Sequence, residues 1–121
     1  MTDFDALAHR YVAVFNETDP AARRQRVADL WAPGGTYTDP LADVAGHEAI
    51  DGFVAAAQEQ LAGLEFRLLG TVDAHHRQAR LRWGAGPAGG EPVVIGFDVL
   101  VADPDDRLSH VHGFLDLAPT G

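Results

Sequence analysis

Gly35-Thr36-Tyr37-Thr38-Asp39-Pro40 sets one carboxylate at the end of a short run of strand-favouring residues, just after an aromatic helix end. Thr36, Tyr37 and Thr38 suit a strand, and the proline keeps Asp39 out of helical geometry. Asp39 is therefore expected at a strand end. A carboxylate held there by stiff backbone and turned toward a cavity has its proton affinity raised by desolvation, and can take a proton from carbon. The plainer alternative is that Asp-Pro opens a turn through Leu41-Ala42-Asp43.

Upstream, Phe4, Leu7, Ala8, Tyr11, Val14 and Phe15 recur at helical spacing, which predicts a first helix from Phe4 to Thr18 with Thr2 or Asp3 as its cap. Asp19 then caps a second helix with Pro20 at its first position, running to about Trp31, where Pro33-Gly34-Gly35 stops it. Arg23, Arg24 and Arg26 form its polar face. Downstream, Gly46 opens a third helix with an inward stripe of Ile50, Phe53, Val54, Ala57 and Leu61, extended by Leu64. Glu48 and Asp51 near its start suit the helix dipole.

After Gly63 the period becomes strand-like. Leu64 to Val72, Ala79 to Trp83, Pro92 to Val101 and Leu108 to Leu117 read as four strands joined as hairpins. The turns fall at His75-His76-Arg77, Gly84 through Gly90, and Asp103-Pro104-Asp105-Asp106. Helices first and strands afterwards predict an α+β fold, with three N-terminal helices packed on one face of a curved, mostly antiparallel sheet.

The 121 residues are 46% hydrophobic, enough for a core and a small pocket, and are expected to form one domain over residues 1–121. With no cysteine, there is no disulfide, thiolate metal site or Cys nucleophile. A formal charge of −9, spread along the chain, repels phosphate backbones and anionic lipid, so neither nucleic acid nor membrane is an expected partner. The N-terminus lacks the basic start and apolar run of a signal peptide, which leads to a cytoplasmic expectation.

Asp98 interrupts Val93-Val94-Ile95-Gly96-Phe97 and Val99-Leu100-Val101, placing a carboxyl in the middle of an otherwise apolar strand. Burial favours its neutral form, a hydrogen-bond donor, whereas an open sheet side would leave it an ordinary surface acid. If Asp98 faces inward, alternation brings Val94, Gly96 and Leu100 with it and turns Phe97 and Val99 away. Small Gly96 would then leave room for a ligand or for helix packing. Tyr11 lies on the apolar stripe of the first helix, where a core tyrosine is the ordinary alternative to a functional one. Together, Tyr11 and Asp98 could donate to a developing oxyanion while Asp39 removes a proton.

The histidines yield less. His110 and His112 share a strand face, a spacing that offers two metal nitrogens but no third ligand, so surface or interface histidines are the expected reading. His75 and His76 are adjacent at a turn and point apart. Gly84-Ala85-Gly86-Pro87-Ala88-Gly89-Gly90 lacks the Lys, the Ser or Thr, and the following helix of a phosphate loop.

Arg10-Tyr11-Val12-Ala13-Val14-Phe15-Asn16, Tyr37-Thr38-Asp39-Pro40, Gly46 with Ala49-Ile50 and Phe53, and Phe97-Asp98-Val99 resemble the nuclear transport factor 2-like superfamily. The branch is that of ketosteroid isomerases and SnoaL-like polyketide cyclases. The resemblance implies a conical α+β fold around an apolar pocket. It implies Asp39 as catalytic base, with Tyr11 and a protonated Asp98 as oxyanion donors. Trp31, Tyr37, Phe53, Trp83, Phe15 and Val111 are then the expected substrate-binding residues. The expected activity is a proton shift beside the carbonyl of an apolar small molecule, by isomerisation or aldol cyclisation, without cofactor or metal. The rival is a non-catalytic ligand-binding or dimerisation module on the same fold. A sheet face left uncovered by helices argues for a homodimer, with Phe97, Val99, His110 and His112 at the contact.

Overall fold

In the computed structural model, which describes residues 2–118, Asp3 accepts a hydrogen bond from the Ala6 amide at 3.1 Å and starts α1, Phe4–Asn16. Its whole apolar stripe, Phe4, Leu7, Ala8, Tyr11, Val14 and Phe15, is buried. The helix ends two residues before the predicted Thr18. There the Asn16 amide imitates a strand, donating to the Phe66 carbonyl and accepting from the Phe66 amide, both at 2.8 Å.

Asp19 caps α2, Pro20–Leu30, accepting from the Ala22 amide at 2.9 Å, and Pro20 opens the helix as expected. The chain then enters β1, Trp31–Asp39, without a loop. Pro33, Gly34 and Gly35, expected to stop the helix, lie inside this strand, and Trp31 begins it. The register of β1 against its neighbour shifts between Trp31 and Thr36, which absorbs these strand breakers. Gly35 is needed there because a Cβ would stand 2.8 Å from Trp31 Cδ1 and 2.9 Å from the Leu108 carbonyl.

Pro40 and Leu41 turn the chain into β2, Ala42–Ala45, a short strand whose first two residues fall within the alternative turn through Leu41-Ala42-Asp43. Gly46, with φ +89°, leads into α3, His47–Gln60, which buries Ile50 and Val54. Next come β3, Glu65–His75, β4, Gln78–Gly86, β5, Val94–Ala102, and β6, Leu108–Leu117. β4 runs on through Gly84-Ala85-Gly86, expected to be a flexible turn. Residues 87–93 fold back over it, with the Val93 amide donating to the Ala85 carbonyl at 2.8 Å.

The sheet order is β2-β1-β6-β5-β4-β3. Neighbours are antiparallel except β1 and β6, which run parallel and join the N-terminal hairpin to the expected meander. The result is the predicted α+β fold, three helices on a six-stranded, mostly antiparallel curved sheet.

Two features set the site. In β5, Val94, Gly96, Asp98, Leu100 and Ala102 are buried while Ile95, Phe97, Val99 and Val101 are half-exposed, so Asp98 does face the helices. Gly96, however, leaves no room for a ligand, because the Trp83 indole lies directly on it. On α2, Arg23 is buried rather than solvated. It pairs with Asp51 at 2.8 Å and donates to Gln58 Oε1 at 3.0 Å, and Gln58 in turn donates to the Phe15 and Glu17 carbonyls. This network ties the end of α1 to α2 and α3.

Candidate functional site

Strand and helix geometry bring four oxygen-bearing side chains to the inner face. α1 presents Tyr11, β1 presents Tyr37 and Asp39 two residues apart on one side, and β5 presents Asp98. Tyr11 donates to Asp98 Oδ2 at 2.5 Å, a short bond between buried groups. Tyr37 donates to Asp39 Oδ2 at 2.8 Å, while Asp39 Oδ1 accepts from the amides of Leu41 at 2.7 Å and Ala42 at 2.9 Å. The Asp-Pro turn and the inward carboxylate are thus one arrangement.

Gly113 on β6 lies between the two acids and is the register partner of Asp98. A Cβ at Gly113 would stand 3.0 Å from Asp98 Oδ1 and 3.2 Å from Asp39 Cβ. A side chain at this position would press on both acids.

Burial pushes the Asp98 carboxyl up to about 6; hydrogen bonding from Tyr11 and Trp83 draws it down, and the Asp39 charge adds to the rise. Burial, followed by the Asp98 charge, holds the Tyr11 phenol well above its ordinary 10. Tyr37 is raised by the same two causes, then by Asp39. Both phenols stay neutral and act as donors.

Beside these groups is a crevice of about 20 Å³ lined by Tyr11, Val12, Phe15, Tyr37, Phe66 and Trp83. That is room for about one water. Of the residues expected around a ligand, Tyr37, Trp83 and Phe15 line this space. Trp31 packs behind Tyr11 at 5.9 Å between ring centroids, Phe53 stacks behind Tyr37 at 4.7 Å, and Val111 is fully buried in the core. Val12 and Phe66 were missed. Val12 sits beside the helical stripe rather than on it, and Phe66 takes its place from the Asn16 bond. Tyr11 bonds Asp98, Tyr37 bonds Asp39, and Gly113 stands next to both acids.

The histidines lie elsewhere. His110 and His112 stack at 5.9 Å on the exposed outer sheet face, and His110 Nδ1 bonds Thr36 Oγ1 at 2.8 Å. Among the described residues, no third His, Cys, Asp or Glu joins them in a group that could hold a metal ion. His75 and His76 are exposed at the hairpin between β3 and β4.

A bent sheet closed by three helices over a buried acid and phenol cluster defines a conical α+β protein. A family model described as a SnoaL-like domain matches residues 8–111, and the chain belongs to that family. It is similar to a candidate isomerase of the SnoaL-like family from Agrobacterium tumefaciens strain C58, at 35% identity and TM-score 0.87, covering 92% of this chain and 95% of that one. A candidate polyketide cyclase from Sinorhizobium meliloti shares the fold at 17% identity and TM-score 0.69, covering 89% and 93% of the two chains. So does a nuclear transport factor 2-like protein of unknown function from an Exiguobacterium species, at 19% identity and TM-score 0.70, covering 91% and 98%. No curated protein matches. Among the described residues, no helix is long and apolar enough to cross a membrane.

Proposed function

We propose that this chain is an enzyme that shifts a proton beside the carbonyl of an apolar small molecule, by isomerisation or aldol cyclisation, using its own acids and phenols. The observation that carries this reading is the buried 2.5 Å bond between Tyr11 and Asp98, one glycine away from Asp39. Asp39, half-exposed at the end of β1, is the proposed base, and Tyr11 the oxyanion donor. The direction of the bond between Tyr11 and Asp98 decides whether the phenol can act. With Asp98 ionised, the one phenol hydrogen is committed to the carboxylate and none faces a ligand. With Asp98 protonated, the carboxyl donates to the phenol oxygen and the phenol hydrogen is free for the oxyanion. Since Asp98 titrates at about 6, the donor is armed below that pH and disarmed above it, and kcat/KM is expected to fall as pH rises through about 6.

Phe15, Tyr37 and Trp83 are the proposed substrate contacts, backed by Trp31, Phe53 and Val111. The test is exchange of α-hydrogens for deuterium in a panel of cyclic ketones, followed by NMR in heavy water. The wild-type chain is expected to accelerate exchange of at least one ketone, and Asp39→Asn to lose that acceleration while remaining folded. Undiminished exchange in Asp39→Asn removes Asp39 as the base.

A second reading, a non-catalytic binding or dimerisation module, draws on two observations. Asp39 already accepts three hydrogen bonds, and the crevice beside Tyr11 and Tyr37, about 20 Å³, is not lined by Asp39. Ketone binding without exchange is its expected signature. Both readings include a homodimer through the outer sheet face, supported by half-exposed Phe97 and Val99 next to Phe114, which is 57% exposed.

A further inference from the structure

Tyr37 stands where a ligand of the proposed site would have to lie. Its side chain is 3% exposed, donates to Asp39 Oδ2 at 2.8 Å, and stacks on Phe53 with ring centroids 4.7 Å apart and planes at 29°. Phe15 flanks it at 6.4 Å, and Tyr37 and Tyr11 line the same crevice. A flat ring with one hydroxyl thus already meets the proposed base, shares a crevice with the proposed oxyanion donor and lies between aromatic faces. The crevice left beside it is about 20 Å³.

We propose that Tyr37 is an internal occupant of the site, which a planar ligand bearing a phenol or enol hydroxyl displaces by taking over its bond to Asp39. The inference rests on the reading of Tyr11 and Asp39 as a ligand site, though not on turnover. The backbone permits the exchange. Tyr37 is paired on both sides of β1, with Val44 of β2 and Val111 of β6, so the ring can leave by side-chain rotation without unpairing the strand. Because the ring is tethered, it competes as an intramolecular ligand at high effective concentration, and a small free phenol competes poorly with it.

The test removes the tethered ring and supplies a free one, with phenol and benzene as probes of the full chain in NMR titrations. Tyr37→Ala is expected to bind phenol about tenfold more tightly than benzene, because only phenol can donate to Asp39. The wild-type chain is expected to show no such preference at the same concentrations. Adding Asp39→Ala to Tyr37→Ala is expected to bring phenol down to the level of benzene. Equal binding of the two probes by Tyr37→Ala overturns the proposal, as does a phenol preference that survives in the double variant. Tyr37→Val, which keeps a β-branched residue in the strand, takes the place of the alanine variant should that one not fold. Failure of both to fold also overturns it, since a ring that a ligand lifts out cannot be indispensable to the folded chain. Absence of ketone exchange in the wild-type chain counts against the catalytic reading alone, whereas these titrations judge the occupant.

Discussion

Asp98 ties the chemistry of the site to the stability of the chain. Its folded carboxyl titrates at about 6, against 3.8 for an ordinary aspartic acid. Below 3.8 it is protonated whether folded or not; as pH rises toward about 6 the unfolded chain ionises first, so this group's stabilisation is lost across that window and stays lost above it. The loss is on the order of 3 kcal/mol. Asp98→Asn has no such titration, so wild type is expected to lose on the order of 3 kcal/mol relative to the variant in urea unfolding as pH rises across the window. A difference that stays constant there contradicts the burial of a titrating acid. Gly113→Ala is expected to cost about 1–3 kcal/mol by overpacking the gap between the acids, read as a lower urea midpoint. An unchanged midpoint would mean that the two carboxyls are not held close. Asp98 was legible in the sequence because a single acid breaks an apolar run at the parity of Val94 and Leu100. Gly113 was not, because it separates Asp98 from Asp39 only once β6 lies parallel to β1, a pairing that no local pattern encodes.

At the scale of elements, the polar network around Arg23 holds the three helices over the site. Arg23 and Asp51 retain only 10% and 13% of their side-chain exposure, so removing one partner strands the other in a poorly hydrated place. Arg23→Ala is expected to cost about 2–4 kcal/mol, and a double-mutant cycle with Asp51→Ala to show coupling between the two. Additive losses would reduce the pair to separate surface contacts. The helices themselves were readable because Asp3, Asp19 and Pro20 mark their starts and the apolar stripes keep one period. The interior of β1 and all of β2 were not. Pro33, Gly34 and Gly35 carry a breaker signal and fall in the register shift between Trp31 and Thr36, an irregularity that keeps them within one strand and that no local pattern encodes, and Ala42–Ala45 is too brief for alternation to show.

For the whole molecule, three helices cover one sheet face and leave the other open, where Phe97 and Phe114 sit in register with ring centroids 6.4 Å apart. Sedimentation is expected to find the wild-type chain dimeric and Phe114→Glu monomeric; a wild-type monomer at every concentration removes the dimer. On the covered face, the layering of helices on sheet followed from their order along the chain and the conical shape from the family resemblance, but the filling of the interior followed from neither. Whether Tyr37 lines a hollow or plugs it depends on how far α3 brings Phe53 against the sheet, which is a matter of packing rather than pattern. That Asp98 arms Tyr11 by gaining a proton is tested most directly by titrating the Asp98 carboxyl with carbon-13 NMR in wild type and in Asp39→Asn. The expected midpoint is about 6 in wild type, and lower in the variant, where the neighbouring charge that helps to raise it is gone. A midpoint at the ordinary 3.8, unchanged in the variant, would contradict it.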